Sequence, residues 1–376
     1  MKNINFIDLK KQYELNSDSI NQSILSVIHE SSFIQGRQVK ELEQLLSDYT
    51  GSNALTVANG TDALFISLMA LGVGPGDEVI TPAFTWVSTV EAIKLVGAKP
   101  IFIEVREDTF NINENDIEKL ITKNTKVIMP VSIFGRCPDI NKIKNLKKVK
   151  DLGIKVLEDA AQSFGAKLDG SLSCSIADIS TTSFFPAKPL GCYGDGGAIF
   201  TNDSNLFEKV SMISKHGQQG RYSYKTIGVN SRLDTIQAAV LICKLKIFED
   251  EIVMRNKVAN IYNDYLQASS LVKVPSIPDL ENRSVWAQYT LILDDSIYAD
   301  RNKIMNLMKE KGIPTALYYP AALHLQKPYL DLDANLPITE SIADRVISLP
   351  MHPYLNDQEI EYISKNFLRI ISGLKS

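Results

Sequence analysis

Lys188 stands in Ser183-Phe184-Phe185-Pro186-Ala187-Lys188-Pro189-Leu190-Gly191, a loop between two strand-like apolar runs; the second begins after Gly194-Asp195-Gly196. Upstream, Ile154-Lys155-Val156-Leu157 closes on Glu158-Asp159. A primary amine with a carboxylate across from it is the pair that an aldehyde cofactor such as pyridoxal 5'-phosphate requires. The amine forms an imine with the aldehyde, and once a substrate amine displaces it, it is held beside the carbon whose proton must move. The carboxylate keeps the ring nitrogen protonated, so the ring can draw electrons. Side-chain alternation along a strand sends Glu158 and Asp159 to opposite faces, so only one can meet the ring, and Asp159 at the strand end is the candidate. Each residue also has an ordinary reading: a loop lysine is usually a solvated charge, and a strand-ending aspartate is often a helix cap.

Other loops offer groups that suit the same ligand. Asn59-Gly60-Thr61-Asp62 follows a predicted strand at 54–58 and leads into an apolar helix at 63–71. Such a turn presents unpaired amides and the positive end of a helix dipole to an anion, which assigns a phosphate to Gly60 and Thr61; capping by Thr61 or Asp62 is the alternative. Trp86 lies just beyond a strand at 78–80, where an indole could stack on a flat heterocycle or fill the core. Gln162 could lie over the ring or its hydroxyl and Ser183 could bind phosphate, or both could serve as turn residues. Gly72-Val73-Gly74-Pro75-Gly76-Asp77 only superficially resembles a dinucleotide fingerprint, because it follows a helix and contains a proline.

The elements needed to position these groups alternate regularly. Helices are expected at 20–28, 38–49, 89–96, 114–121 and 139–152, with strands at 99–105, 126–131 and 154–159. Alternation over about 200 residues implies a mainly parallel sheet with helices on both faces, and ligands then sit outside the carboxyl ends of the strands. Gly60, Trp86, Asp159 and Lys188 all fall there. A long helical pattern from 233 toward 265, then a strand at 286–293 and a helix at 300–311, suggest a smaller α+β domain. The expected division is a large domain over 1–250 and a small one over 251–376.

The 376 residues are 44% hydrophobic with a net charge of -4, which argues against an obligatory nucleic-acid partner. The four cysteines are widely spaced and have no histidine at metal-ligand spacing, so reduced thiols and no metal are expected. With no signal-like start and no long apolar run, the expected location is the cytoplasm, away from membranes.

Several motifs together resemble the DegT/DnrJ/EryC1/StrS family of pyridoxal-phosphate-dependent nucleotide-sugar aminotransferases. They are Ala58-Asn59-Gly60-Thr61-Asp62-Ala63-Leu64, Gly74-Pro75-Gly76-Asp77-Glu78-Val79-Ile80, Glu158-Asp159-Ala160-Ala161-Gln162-Ser163, the Lys188 loop, Gly194-Asp195-Gly196-Gly197 and Gly228-Val229-Asn230-Ser231-Arg232-Leu233-Asp234. The resemblance runs from Phe6-Ile7-Asp8-Leu9 to about Ile371 and implies the aspartate aminotransferase fold (fold type I). It also implies that Lys188 is the Schiff-base lysine, Asp159 the partner of the pyridinium nitrogen and Trp86 the stacking aromatic. Gln162 matches the residue packed near the ring's other groups, Thr61 and Ser183 match phosphate ligands, and Arg232 matches a residue near the substrate. Asn230 matches a phosphate ligand that the family supplies from the neighbouring subunit, implying a homodimer with shared sites.

A lysine at 188, where dehydrating members of the family carry histidine, favours transamination. L-glutamate is the implied donor, with the cofactor cycling through pyridoxamine 5'-phosphate. The Lys188–Gly197 run and Ser348-Leu349-Pro350-Met351-His352-Pro353-Tyr354-Leu355 resemble enzymes acting on UDP-2-acetamido-2-deoxy-3-oxo-glucuronate, which feed bacterial O-antigen. Leu317-Tyr318-Tyr319-Pro320 departs from the commoner His-Tyr-Pro, and Tyr318 and Tyr319 are candidate substrate contacts. Ala321-Ala322-Leu323-His324-Leu325-Gln326 looks closer to enzymes acting on dTDP-3-keto-6-deoxyhexoses, the alternative substrate along with 4-keto sugars. Two other classes stand beside this reading. One is a cofactor-free sugar-nucleotide binding protein; the other is an enzyme of amino acids, gripping an α-carboxylate with Arg283, Arg301 or Arg345.

Overall fold

The computed structural model describes residues 4–279, 281–332 and 334–374. Its centre is a seven-stranded sheet built from β1 (Asn53–Val57), β2 (Glu78–Pro82), β3 (Lys99–Ile103), β4 (Thr125–Ile128), β5 (Lys155–Asp159), β6 (Ile179–Ser183) and β7 (Gly197–Thr201). The spatial order is β1-β7-β6-β5-β4-β2-β3. Only β7 runs antiparallel to its neighbours; the other strands share one direction. The strands are short and almost wholly buried, as a sheet covered on both faces requires. One face is covered by the helices Gly60–Ala70, Ser88–Leu95 and Ser204–Ile213, and Arg37–Thr50 and Thr235–Leu245 pack elsewhere around the sheet.

The β-α alternation therefore stands, while several element boundaries differ from expectation. The first helix runs over Leu9–Glu30, starting where the Asp8 carboxylate accepts the Lys11 amide; a stripe that buries only Gln12, Ile20 and Val27 gives its first half little apolar signature. The helix expected at 139–152 is two, Ile140–Asn145 and Lys147–Leu152. Leu146 turns extended between them, so that Ile140, Ile143 and Val149 all reach one core. The segment at 114–121 is a 3-10 turn, Glu114–Asp116, followed by a single helical turn, Ile117–Leu120. Trp286 has φ 47 in the left-handed region, so the strand expected from that residue begins only at Tyr289.

The long pattern after 233 also divides, into Thr235–Leu245 and Phe248–Leu266. The second helix joins two cores. Phe248 and Ile252 pack with the sheet, whereas Val258, Ala259, Tyr262 and Leu266 pack into a separate core around the antiparallel strands Val272–Lys273, Tyr289–Leu293 and Val346–Leu349. Ile4 packs into that second core as well. Among the described residues no helix is long and apolar enough to cross a membrane.

The Ser348–Leu355 run ties the two chain ends together. The Met351 amide donates to the Phe6 carbonyl (3.1 Å), the Tyr262 hydroxyl to the Pro350 carbonyl (2.9 Å), and the Tyr354 hydroxyl to Glu251, which also takes Gln12 Nε2 at 2.9 Å. His352 is buried within this knot, and burial pushes its imidazole from 6.5 down to about 4, with Asp8 opposing and Arg255 assisting. A folded-state value below the unfolded one means that the unfolded chain takes up the proton first. The stability at stake is intact above about pH 6.5 and is lost as the pH falls through about 4. Acidification across that window is expected to destabilise the native chain by about 3 kcal/mol more than a His352→Gln variant, as measured by urea unfolding at each pH. Parallel pH profiles for the two proteins would contradict this role.

Candidate active site

β5 sends its two carboxylates to opposite sides. Glu158 is fully buried and satisfied. Its oxygens accept from the hydroxyls of Ser132 (2.7 Å), Ser173 (2.7 Å) and Ser180 (3.1 Å) and from the Cys174 amide (2.9 Å). Asp159, 4% exposed, has fewer donors: the Thr89 hydroxyl on Oδ2 at 2.8 Å and the Ala161 amide on Oδ1 at 3.2 Å. Burial raises its pKa, and those two bonds and the Lys188 charge only partly offset this.

Lys188 follows β6 in a tight turn in which its amide donates to the Phe185 carbonyl (2.8 Å). Burial lowers its pKa, with the Asp159 charge acting in the opposite direction. The two groups thus face one another electrostatically without a direct bond, each less willing to carry its charge than it would be in water.

The phosphate candidates meet where β1 and β6 end. Asn59 caps the Gly60–Ala70 helix by accepting the Asp62 amide at 2.8 Å, so neither Thr61 nor Asp62 is the cap. The Gly60 and Thr61 amides, at the start of that helix, are left without an acceptor among the described residues. A methyl group on Gly60 would come within 2.8 Å of Ser183 Cβ, and one on Gly197 within 2.6 Å of the Asn59 carbonyl carbon. Glycine at both positions lets the turn lie directly on the ends of β6 and β7. The Thr61 hydroxyl meets Ser88 Oγ at 2.7 Å, joining this turn to the loop after β2.

Trp86, on that loop, is 58% exposed, which excludes a core role, and its ring centroid lies 6.1 Å from that of Tyr319. Tyr319 is buried, and its hydroxyl accepts Gln162 Nε2 at 2.9 Å, while Gln162 Oε1 accepts the Phe134 amide at 2.6 Å. The half-buried Tyr318 packs against Tyr319 and against Phe6 (centroids 6.1 Å apart). Of the candidates, Gly60, Thr61, Trp86, Asp159, Gln162, Ser183, Tyr318 and Tyr319 are thus linked through direct neighbours at the carboxyl edge of the sheet, and Lys188 joins them through its charge on Asp159.

Asn230 and Arg232 stand apart. Asn230 is exposed and bridges to Lys215 through its backbone. Arg232 is half-buried, with no hydrogen bond or ion pair among the described residues. Ser231 between them is buried, and its hydroxyl accepts the Ala58 amide at 3.0 Å, anchoring the segment beside the phosphate turn. Among the described residues no hydrogen bond joins Arg232 and Tyr319, whose hydroxyl accepts from Gln162.

Thr85, Ser88, Thr89 and Phe6 escaped the sequence reading. The first three carry a usable signal, hydroxyls spaced to share one side of a helix entry; Phe6 has none, since its neighbours lie at the other end of the chain.

The arginines that an amino-acid enzyme would need are already engaged. Arg283 pairs with Glu249 (2.6 Å) and bonds the Gly165 carbonyl, Arg301 bonds the Ala343 carbonyl (2.6 Å), and Arg345 pairs with Glu107 (2.9 Å) and Asp295 (3.4 Å). Pyridoxal phosphate fits the residues that remain. They comprise a dry carboxylate short of donors, a partly buried amine, helix amides without acceptors and an indole left uncovered.

Comparison with known proteins agrees with this chemistry. The DegT/DnrJ/EryC1/StrS aminotransferase family matches residues 15–368. The chain is 47% identical over 361 residues to the UDP-2-acetamido-2-deoxy-3-oxo-D-glucuronate aminotransferase of Pseudomonas aeruginosa, covering 96% of this chain and 98% of that one. It is 35% identical to the UDP-N-acetyl-3-dehydro-alpha-D-glucosamine 3-aminotransferase of Acidithiobacillus ferrooxidans, with 98% of each chain covered. The crystal structure of a DegT DnrJ EryC1 StrS aminotransferase from Brucella abortus superposes with a TM-score of 0.91 at 39% identity, covering 98% and 99%.

Replacing Gln162 by alanine leaves the Phe134 amide and the Tyr319 hydroxyl unpaired in a dry place. It is expected to cost about 1–3 kcal/mol in denaturant unfolding, and Tyr319→Phe less. Equal stability of Gln162→Ala and the native chain would show that these bonds do not hold the site together.

Proposed function

The chain belongs to the DegT/DnrJ/EryC1/StrS aminotransferase family, and on that premise we propose that it transfers an amino group from L-glutamate to the 3-keto carbon of UDP-2-acetamido-2-deoxy-3-oxo-glucuronate. As a member it is a pyridoxal-phosphate-dependent aminotransferase of nucleotide-linked keto-sugars. The observation that carries the reading of the site is the Lys188 amine set against the dry Asp159 carboxylate.

Bound pyridoxal phosphate supplies the carbonyl that takes up the amino group and a cationic ring that absorbs electrons as a C–H proton leaves. The remaining work belongs to the chain. Asp159, short of donors, is stabilised by a cationic N–H and so keeps the ring nitrogen protonated. Lys188 holds or releases a proton at its Nζ. Its lowered proton affinity brings it nearer to working pH than a surface lysine, which suits an acid/base that must act in both directions. The Gly60 and Thr61 amides and the Thr61 and Ser183 hydroxyls bind the phosphate. Trp86 would stack on the ring and Gln162 would pack near its other groups. Asn230, exposed on its own subunit, serves the phosphate of a second copy, making the working unit a homodimer.

The likeness to the Pseudomonas aeruginosa enzyme supports the UDP-uronate, whose product suits bacterial surface polysaccharide. Arg232, a guanidinium without an ion partner among the described residues, and Tyr318 are the substrate-side groups. The Ala321–Gln326 likeness to dTDP-sugar enzymes weighs less: His324 within it is buried, 3.0 Å from Glu340 and beside Phe102, so the shared residues there serve packing.

Offered glutamate and a panel of UDP- and dTDP-linked keto-sugars, the enzyme is expected to aminate the UDP-3-oxo-uronate at least about tenfold faster in kcat/KM than any dTDP sugar, with products weighed by mass spectrometry. A dTDP sugar turned over faster would overturn the substrate assignment. Lys188→Ala is expected to lose at least about 1000-fold in kcat while keeping its unfolding temperature; retained turnover would remove the lysine from its role. Co-expressed Lys188→Ala and Asn230→Ala subunits should recover about a quarter of native activity if sites are shared, since half the dimers then hold one intact site. No recovery would mean that Asn230 serves its own subunit.

A further inference from the structure

Asp159 is held by more than its strand. Thr89, in the first turn of the Ser88–Leu95 helix, donates its hydroxyl proton to Asp159 Oδ2 at 2.8 Å, and its oxygen lies 3.0 Å from the Thr85 hydroxyl. Both threonines are buried. An ionised carboxylate only accepts, so the single Thr89 proton is committed to Asp159, and Thr85 must supply the proton shared by the two hydroxyls. The bonds Thr85 to Thr89 to Asp159 therefore point one way whenever Asp159 is charged, and each polarises the next.

The charged and titratable groups around Asp159 are Lys188, Tyr319 and Cys174. Lys188 acts on it without a bond. Burial pushes both Tyr319 and Cys174 up, so both stay neutral and add no negative charge beside Asp159. Among side chains, Thr89 alone hydrogen-bonds to this carboxylate among the described residues.

We propose that Thr89, steadied by Thr85, is a positioning residue for the cofactor: its hydroxyl keeps the Asp159 carboxylate ionised and turned one way, leaving the remaining lone pairs for the ring nitrogen. The proposal rests on the reading of Asp159 as the ring's partner. Thr89 touches neither substrate nor reacting atoms and acts through Asp159. Its hydroxyl is the active part, so valine, which has the same shape, fails where serine succeeds.

The test titrates pyridoxal phosphate into the apo forms of the native protein, Thr89→Val, Thr89→Ser, Thr85→Val and Asp159→Asn. Binding is followed by fluorescence quenching from about pH 5 to about pH 9, with kcat and KM measured alongside. Thr89→Val is expected to weaken cofactor binding about tenfold at neutral pH and to lower kcat more than it changes KM. It should also move the acid limb of the binding profile upward, because a carboxylate that loses a donor holds its proton more tightly. Thr89→Ser should return all three to within about threefold of native, and Thr85→Val should shift the limb in the same direction but less.

Native affinity and an unmoved acid limb in Thr89→Val would overturn the proposal, and so would a serine variant as impaired as the valine one. Should Thr89→Val fail to fold, Thr85→Val decides, an unmoved limb there counting against the relay. Asp159→Asn separates the two levels. If it binds and turns over like the native enzyme, the reading of Asp159 itself falls; if it is impaired while Thr89→Val is not, only the role of Thr89 falls.

Discussion

A carboxylate kept out of water at the carboxyl edge of a sheet is the constraint on which the rest of this molecule depends. Burying such a group is costly unless its lone pairs are met by donors or a cation. At Asp159 the chain meets the demand only in part, with one hydroxyl, one amide and a lysine acting from a distance. The shortfall leaves lone pairs free, which is why the proposed role of Asp159 toward a cationic cofactor N–H rests on this position.

Glu158 is the internal control for that argument. It is the next residue on the same strand and is buried even more completely, yet three serine hydroxyls and a backbone amide saturate it. Its chemistry is finished, and it locks the back of β5 to the Ser132, Ser173 and Ser180 segments. One strand thus carries a saturated carboxylate and one left short of donors, distinguished by what each face supplies. The same contrast separates the arginines: Arg283, Arg301 and Arg345 are occupied, whereas Arg232 has no hydrogen-bond or ion partner among the described residues.

Gln162 extends this frame across the molecule. By accepting from Phe134 and donating to Tyr319 it ties the loop after β4 to the 318–320 segment, whose Tyr318 rests on Phe6. Phe6 is in turn held by Met351, in the turn that follows the Val346–Leu349 strand. The surroundings of Trp86 are therefore assembled from the sheet, the C-terminal core and the start of the chain, and the pieces hold one another through single hydrogen bonds in dry places, where each counts for more than it would in water.

What could be read from residue order was whatever depends on local rules. Side-chain alternation separated Glu158 from Asp159. Alternating strands and helices placed Gly60, Trp86, Asp159 and Lys188 at one edge, and the motif spacing carried the likeness to a family. Helix breaks such as the one at Leu146 stayed hidden because packing onto a shared core, not propensity, sets them. The partners that tune the site were hidden for a related reason. Thr89 lies 70 positions from Asp159, and Tyr319 lies 157 from Gln162. The sequence by itself determined which groups could do the chemistry and which edge of the sheet would present them. Only the tertiary structure decided which carboxylate stays short of donors and which arginine is left unpaired among the described residues, because hydrogen-bond supply is settled by whatever the folded chain brings alongside.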